Sequence, residues 1–159
     1  MLDREYRGQV CSIARALEIV GDRWTLLILR DTMRGIQRFD QIRDSLGVAS
    51  NVLSNRLDRL CEEGILERHA YRTRPARYEY RVTRKGASLW PTLFMLMKWG
   101  DRFYASELGP PLLTVHRGCG GEVDHRLVCP ECGERVSIRD LDVIPGPGAP
   151  DQVQLAAYA

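Results

Sequence analysis

The sequence predicts a mainly α domain with a small β-hairpin, followed by a smaller β module. Three observations predict it. Leu53, Leu57 and Leu60 recur at helical spacing, with a polar face opposite them. Residues 66–83 then change to a period of two around an arginine-rich loop. Finally, one histidine and three cysteines fall into two tight pairs between residues 116 and 132.

Residues 11–20 read as a helix with Ile13, Leu17 and Val20 as its apolar stripe, stopped by Gly21. Asp22 can cap a second helix over residues 23–33, with Trp24, Leu27 and Ile28 inward and Gly35 ending it. Residues 39–46 form a third, with Phe39, Ile42 and Leu46 inward. Gly47-Val48 is a tight turn into the fourth helix, residues 49–63, with Ser50 as N-cap and Gly64 closing it. At about 100° per residue, the face opposite the leucines carries Asn51, Asn55, Asp58 and Glu62, with Ser54 and Arg59 on its flanks.

Beyond this helix, Leu66 and the alternating Tyr78, Tyr80 and Val82 favour strands, and a Pro-containing loop between them holds Arg72, Arg74 and Arg77. Helix, strand, basic loop, strand is the order of a winged helix-turn-helix. Its chemistry suits double-stranded DNA, because Asn pairs bidentately with adenine and Arg with guanine. Asn51, Asn55 and Arg59 are the base-edge candidates, with Ser50 and Ser54 beside them. Arg56, nearer the core edge, is expected to reach phosphate. Arg72, Arg74 and Arg77 of the wing (residues 72–77) are expected to contribute charge, although Arg77 could instead pair with Glu79.

Residues 84–104 are apolar on most helical faces. Leu89, Leu93 and Leu96 form one stripe and Trp90, Phe94 and Met97 a second, with Met95 and Trp99 flanking. Pro91 predicts a kink or a helix start at Trp90. So much apolar surface calls for a partner subunit, with Phe94, Met97 and Trp99 as seam candidates.

Charge is unevenly distributed. Residues 1–104 hold 19 Lys+Arg against 13 Asp+Glu, and residues 105–159 hold 4 against 8, so a basic front suits a polyanion. No apolar run reaches membrane-spanning length, and the first residues are charged rather than signal-like, so the expectation is a cytoplasmic protein that does not engage membranes. Neither a His/Asp/Ser constellation nor a phosphate-cradling glycine loop stands out, which argues against an enzyme.

Residues 8–104 resemble the HxlR family of winged-helix regulators, relatives of the MarR group. The resemblance rests on Cys11 with residues 16–29 (ALEIVGDRWTLLIL), then Arg38-Phe39-Asp40-Gln41-Ile42, then Leu53-Ser54-Asn55-Arg56-Leu57, then residues 77–86 (RYEYRVTRKG). It implies a homodimer formed through terminal helices, binding inverted-repeat operators, most often as a repressor. It also adds weight to Cys11 as a redox sensor, at a helix start where backbone N–H groups favour a thiolate. The alternative is a structural cysteine packed under that helix. A small-molecule or redox effector is a further expectation. Many members of the family stop near the long helix.

The expected domains are residues 1–108 for DNA binding and dimerisation, 113–138 for a zinc-ribbon-like module, and 139–159 for a flexible tail. In the module, His116 and Cys119 form one pair and Cys129 and Cys132 the other. Each pair can reach one ion from a single turn, and two turns complete a tetrahedron, so one structural zinc per chain is expected. His125 could replace His116, and a redox dithiol at Cys129 and Cys132 is the main rival. Short strands are expected around Leu113/Val115, Val123, Leu127/Val128 and Val136/Ile138. With so few large apolar side chains, ligation must supply the folding free energy. The competing functional reading is a zinc-ribbon protein-interaction adaptor that uses the winged helix for packing alone.

Overall fold

The computed structural model describes Tyr6 and residues 11–149, which divide into two units, Met1–Ala87 and Ser88–Ala159. In the first unit, α1 (Ser12–Val20), α2 (Thr25–Met33), α3 (Phe39–Leu46) and α4 (Ser50–Glu62) precede an antiparallel hairpin, β1 (Leu66–Thr73) and β2 (Ala76–Val82), and the short α5 (Arg84–Ala87). Ile28 and Leu29 of α2, Ile42 of α3 and Leu53 and Leu57 of α4 are fully buried. They form the core that fixes the rotation of α4. Gly47 turns the chain between α3 and α4 at φ +60° and Gly64 leaves α4 at φ +64°, left-handed positions that favour glycine.

The helix starts differ from the sequence expectation. Ala49, not Ser50, is the N-cap residue of α4, and Trp24, not Asp22, is that of α2; neither cap is made by a side chain. Asp22 is taken up by another partner, described below. Leu27 lies at the surface and Trp24 is half-buried, so α2 turns Thr25, Ile28, Leu29, Thr32 and Met33 inward. On α1 only Ala14 and Val20 are buried, while Ile13 is 70% exposed and Leu17 41%. The apolar stripe exists, but most of it faces out.

The hairpin is longer and tighter than expected. Its register runs from Leu66 opposite Val82 to Thr73 opposite Ala76, with an irregularity between Ala70 and Arg72. Only Arg74-Pro75 lies outside the strands, and Arg72 and Arg77 face each other across the ladder. The stretch before α3 joins its edge, since Arg38 bridges Glu79 and the Tyr80 N–H donates to the Gln37 carbonyl.

In the second unit, α6 (Trp90–Tyr104) starts at Trp90 with Pro91 in its first turn, where no intrahelical N–H is needed. Trp90 and Phe94 are buried, with ring centroids 5.6 Å apart. Phe94 is therefore unavailable as a seam residue. Met97 is half-buried, and Trp99 and Phe103 remain 52% and 58% exposed.

The strand β3 (Leu112–His116) pairs antiparallel with β4 (Leu141–Pro145), from Leu112 opposite Pro145 to His116 opposite Leu141. This corrects the tail expected from residue 139. Residues 141–145 are a strand with Leu141 fully buried, and the turn beyond it is hydrogen-bonded from Gly146 to Pro111 and from Gly148 to Pro110. Residues 150–159 lie outside the described residues. Ile138 begins a 3-10 turn rather than a strand, and Val123 and Val128 make only isolated bridges near them. The division at residue 88 also groups α6 with the small β module, where the sequence suggested a boundary near 108.

Gly86 tests the seat of the hairpin. A Cβ there would run into the Ile65 carbonyl oxygen and lie 2.9 Å from Val82 Cγ1. Gly86→Ala is expected to cost about 1–3 kcal/mol of overpacking strain, read as a lower thermal midpoint of the first unit; an unchanged midpoint would contradict this packing.

Candidate nucleic-acid interface and metal centre

Burial of Leu53, Leu57 and Leu60 turns Ser50, Asn51, Ser54 and Asn55 to solvent in the first turns of α4. The last turns present Asp58 and Glu62 on the same side. The N-terminal half of this face is thus uncharged and its C-terminal half acidic.

Arg56 and Arg59 lie elsewhere than expected. Arg56 Nη1 is 3.0 Å from Asp22 Oδ2, and Arg59 Nη2 donates to the Glu18 carbonyl oxygen. Both guanidinium groups are engaged inside the chain, toward α1 and the turn that follows it. Helical periodicity gives the direction of a Cβ, but a long arginine can turn back to a neighbouring element. Asp22 is the functional candidate that sequence reading missed, having been taken for a helix cap.

On the wing, Arg72, Arg74 and Arg77 are all exposed. Arg72 Nε donates to the Arg74 carbonyl at 3.1 Å. Glu79 pairs with Arg38 at 3.1 Å and Arg81 at 3.4 Å, so it is not the partner of Arg77. The hydrogen bond from Arg38 leads the effects that hold the Glu79 carboxyl below its ordinary range.

Cys11 is the N-cap residue of α1 and is exposed, which removes the reading of a cysteine packed under the helix. Arg15, one turn on, is paired with Glu18 at 3.3 Å. Cys61 is half-buried on α4, and burial pushes its thiol up.

His116, Cys119, Cys129 and Cys132 come together as expected, with one donor atom from each and all four within 4.8 Å of one another. Cys119 Sγ lies 3.4 Å from His116 Nδ1 and 3.3 Å from Cys129 Sγ, and Cys132 Sγ lies 3.3 Å from His116 Nδ1. His125 is not in the cluster. Two similar turns build it. The N–H groups of Cys119 and Gly120 donate to the His116 carbonyl, and the Gly133 N–H donates to the Cys129 carbonyl, with Gly120 and Gly133 both at φ +74°. Gly121 is required by space, because a Cβ there would come within 2.7 Å of Cys129 Sγ.

The other ring nitrogen, Nε2 of His116, lies 3.5 Å from Glu134 Oε2. The contact lies on the side of the ring away from the sulfurs, where a carboxylate would stand behind a metal-bound histidine. Sequence reading missed Glu134, whose only signal was its position two residues after Cys132.

Burial works against ionisation of Cys129, but the Cys132 N–H, the Cys119 thiol and the Glu131 N–H bring it down to about 7. For Cys119 the Gly121 N–H favours the thiolate, yet its contact with Cys129, burial and Cys132 push it up to about 11. Two thiolates this close repel each other, and a divalent cation among the donors would relieve that repulsion. Three sulfurs and one imidazole nitrogen converging in this way could hold a metal ion, and they fit the tetrahedral, closed donor set of a structural site.

Fold and surface together define a transcriptional regulator with a helix-turn-helix DNA-binding domain. The model of the HxlR-like helix-turn-helix family matches residues 19–108, and the chain belongs to that family. It is 43% identical over 146 residues, 92% of each chain, to an uncharacterised HTH-type transcriptional regulator of Mycobacterium tuberculosis. A crystal structure of a candidate transcription factor, PA1607, is 33% identical and covers 90% of this chain and 89% of its own, with a TM-score of 0.59. The redox regulator HypR in its reduced form is 25% identical over 58% of this chain and 92% of its own, with a TM-score of 0.55. The first two likenesses extend beyond the helix-turn-helix region. Among the described residues, no helix is long and apolar enough to cross a membrane.

If the four donors form one centre, purified protein holds one ion per chain, and Co2+ in its place gives the absorption of a tetrahedral, thiolate-rich site. Cys132→Ser should lose the ion and the order of residues 112–145 while α1 to α4 keep their helical signal. An ordered β3–β4 pair in protein stripped of metal would refute ligation as its support.

Proposed function

We propose that the protein is a homodimeric repressor that recognises an inverted-repeat operator through the first turns of α4 and the wing. The observation that carries this reading is the pairing of an exposed Ser50/Asn51/Ser54/Asn55 face in the first turns of α4 with three exposed wing arginines. Asn51 and Asn55 are the base-edge readers, with Ser50 and Ser54 beside them. Arg72, Arg74 and Arg77 supply phosphate or minor-groove contacts. The exposed Ile13 and Leu17 of α1 and the exposed Trp99 and Phe103 of α6 support a dimer seam on the terminal helices. The ion is zinc, structural and one per chain, because a set of three sulfurs and one imidazole with no open position suits it best. Localisation is cytoplasmic, and a redox or small-molecule effector acts on the dimer.

The test is operator binding across a salt series. Wild type should sediment as a dimer and prefer the DNA upstream of its own gene over random DNA. Asn55→Ala should cost about 1–3 kcal/mol on the operator and relax one base position. Arg74→Ala should weaken all DNA alike and reduce the salt slope by about 1 per subunit. Equal loss on every sequence for Asn55→Ala would place recognition on another face.

Cys11, exposed at the start of α1 and on the helix proposed for the seam, is the proposed redox sensor; the likeness to HypR favours it. Mild oxidant should lower operator affinity in wild type and leave Cys11→Ser unaffected. Equal loss in both would assign the response to other cysteines.

A further inference from the structure

Two arginines on α4 are tied to α1 and the turn after it instead of being offered to solvent. The Arg56 side chain is 17% exposed and its partner Asp22 25%. Arg56 Nε is buried with no hydrogen-bond partner, so its guanidinium is desolvated on one edge and satisfied on the other by a carboxylate. Turning it out to DNA would break the one interaction that offsets that desolvation.

Arg59 does different work three residues on. α1 ends at Val20, and its last turn contains no basic residue. The Glu18 carbonyl belongs to that last turn, where carbonyls have no intrahelical N–H to accept. Arg59 supplies the donor and places its positive charge at the negative end of the helix dipole. The Glu18 carboxylate is used separately, by Arg15 and by the Tyr6 N–H.

Positions 56 and 59 lie one turn apart on the same side of α4. Leucine burial sets which face of α4 is outward, and two bonds restrain the small roll left within that face more than one would. Asn55 shares a polar surface depression with both arginines. A change in their placement therefore acts directly beside a proposed base reader.

We infer that Asp22 and the Glu18 carbonyl form a two-point latch that holds Arg56 and Arg59 against α1 and the turn after it and restrains the residual roll of α4 on its buried face, making Asp22 a positioning residue for sequence-specific binding. The inference rests on the reading that the first turns of α4 meet base edges. It adds a route by which any displacement of α1 reaches the recognition helix.

Asp22→Asn decides it because the two alternatives differ in sign. If Arg56 is a phosphate ligand held back by Asp22, removing the carboxylate frees a cation. Affinity then rises for operator and random DNA alike, and the salt slope steepens by about 1 per subunit. If the latch is as described, operator affinity falls by about tenfold, within the coupling found in ion-pair networks, while random-DNA affinity and the salt slope stay put. Arg56→Gln should give the same loss, and Asp22→Asn/Arg56→Gln no more than either alone. The charge swap Asp22→Arg/Arg56→Asp should recover part of the preference. Should Asp22→Asn not fold, Arg59→Lys, which keeps the charge but loses the planar donor, carries the same expectation. A rise in affinity with a steeper slope overturns the latch, as does unchanged discrimination in folded Asp22→Asn beside a discriminating wild type. Failure of the underlying reading shows differently, as a wild type that binds operator and random DNA equally, and it removes both.

Discussion

Burial of the α4 leucines is the constraint on which the rest of the first unit depends. Leu53, Leu57 and Leu60 are between 0% and 1% exposed, and each contributes about 1.5–3 kcal/mol by leaving water. Polar interactions at the helix surface are smaller by comparison, since an ion pair with partial solvent access contributes about 0–1 kcal/mol. Burial therefore decides which face of α4 is outward, and the Asp22–Arg56 pair can only adjust the angle within that face. Fold and fine alignment are set by different forces, which allows the second to vary without endangering the first.

The second unit reverses this balance. Val123, Cys129 and Leu141 are buried to completion, but few large apolar side chains stand with them around the cluster. Hydrogen bonds define the two ligand turns, and glycines at 120, 121 and 133 satisfy either a left-handed backbone or a lack of space. Those glycines shape the turns without supplying cohesion, because glycine carries the largest backbone entropy cost on folding. Closing four donors on one ion would offset that cost.

The legible parts of the sequence were those where one period or one spacing decides the outcome. The α4 stripe, the alternation of Tyr78, Tyr80 and Val82, the break before Pro91 and the paired ligands all belong there. What was illegible had a tertiary cause. The stripe of α1 was read correctly as apolar, but its cover is not supplied within the described chain, so Ile13 and Leu17 lie outside. Leu141, Val143 and the residues between them alternate as a strand should, yet the Pro/Gly run that begins at Pro145 suggested a tail. Arg56 and Arg59 were placed by the angle of their Cβ atoms, whereas their ends are placed by acceptors on α1 and the turn after it, which no local window contains.

That misplacement changes how the basic surplus of the front should be understood. Net charge attracts DNA only where cations face solvent without a nearby anion. Arg30, Arg38, Arg43, Arg56 and Arg81 each lie against a carboxylate, and Arg59 caps a helix. Arg74 and Arg77 have no acidic partner among the described residues and stand on the wing. The hairpin thus offers exposed cations, while the N-terminal turns of α4 offer hydroxyls and amides without charge. Affinity common to all DNA would come from one element and sequence preference from another. A separation of that kind lets a small roll of α4 alter which site is preferred while the wing continues to hold the backbone.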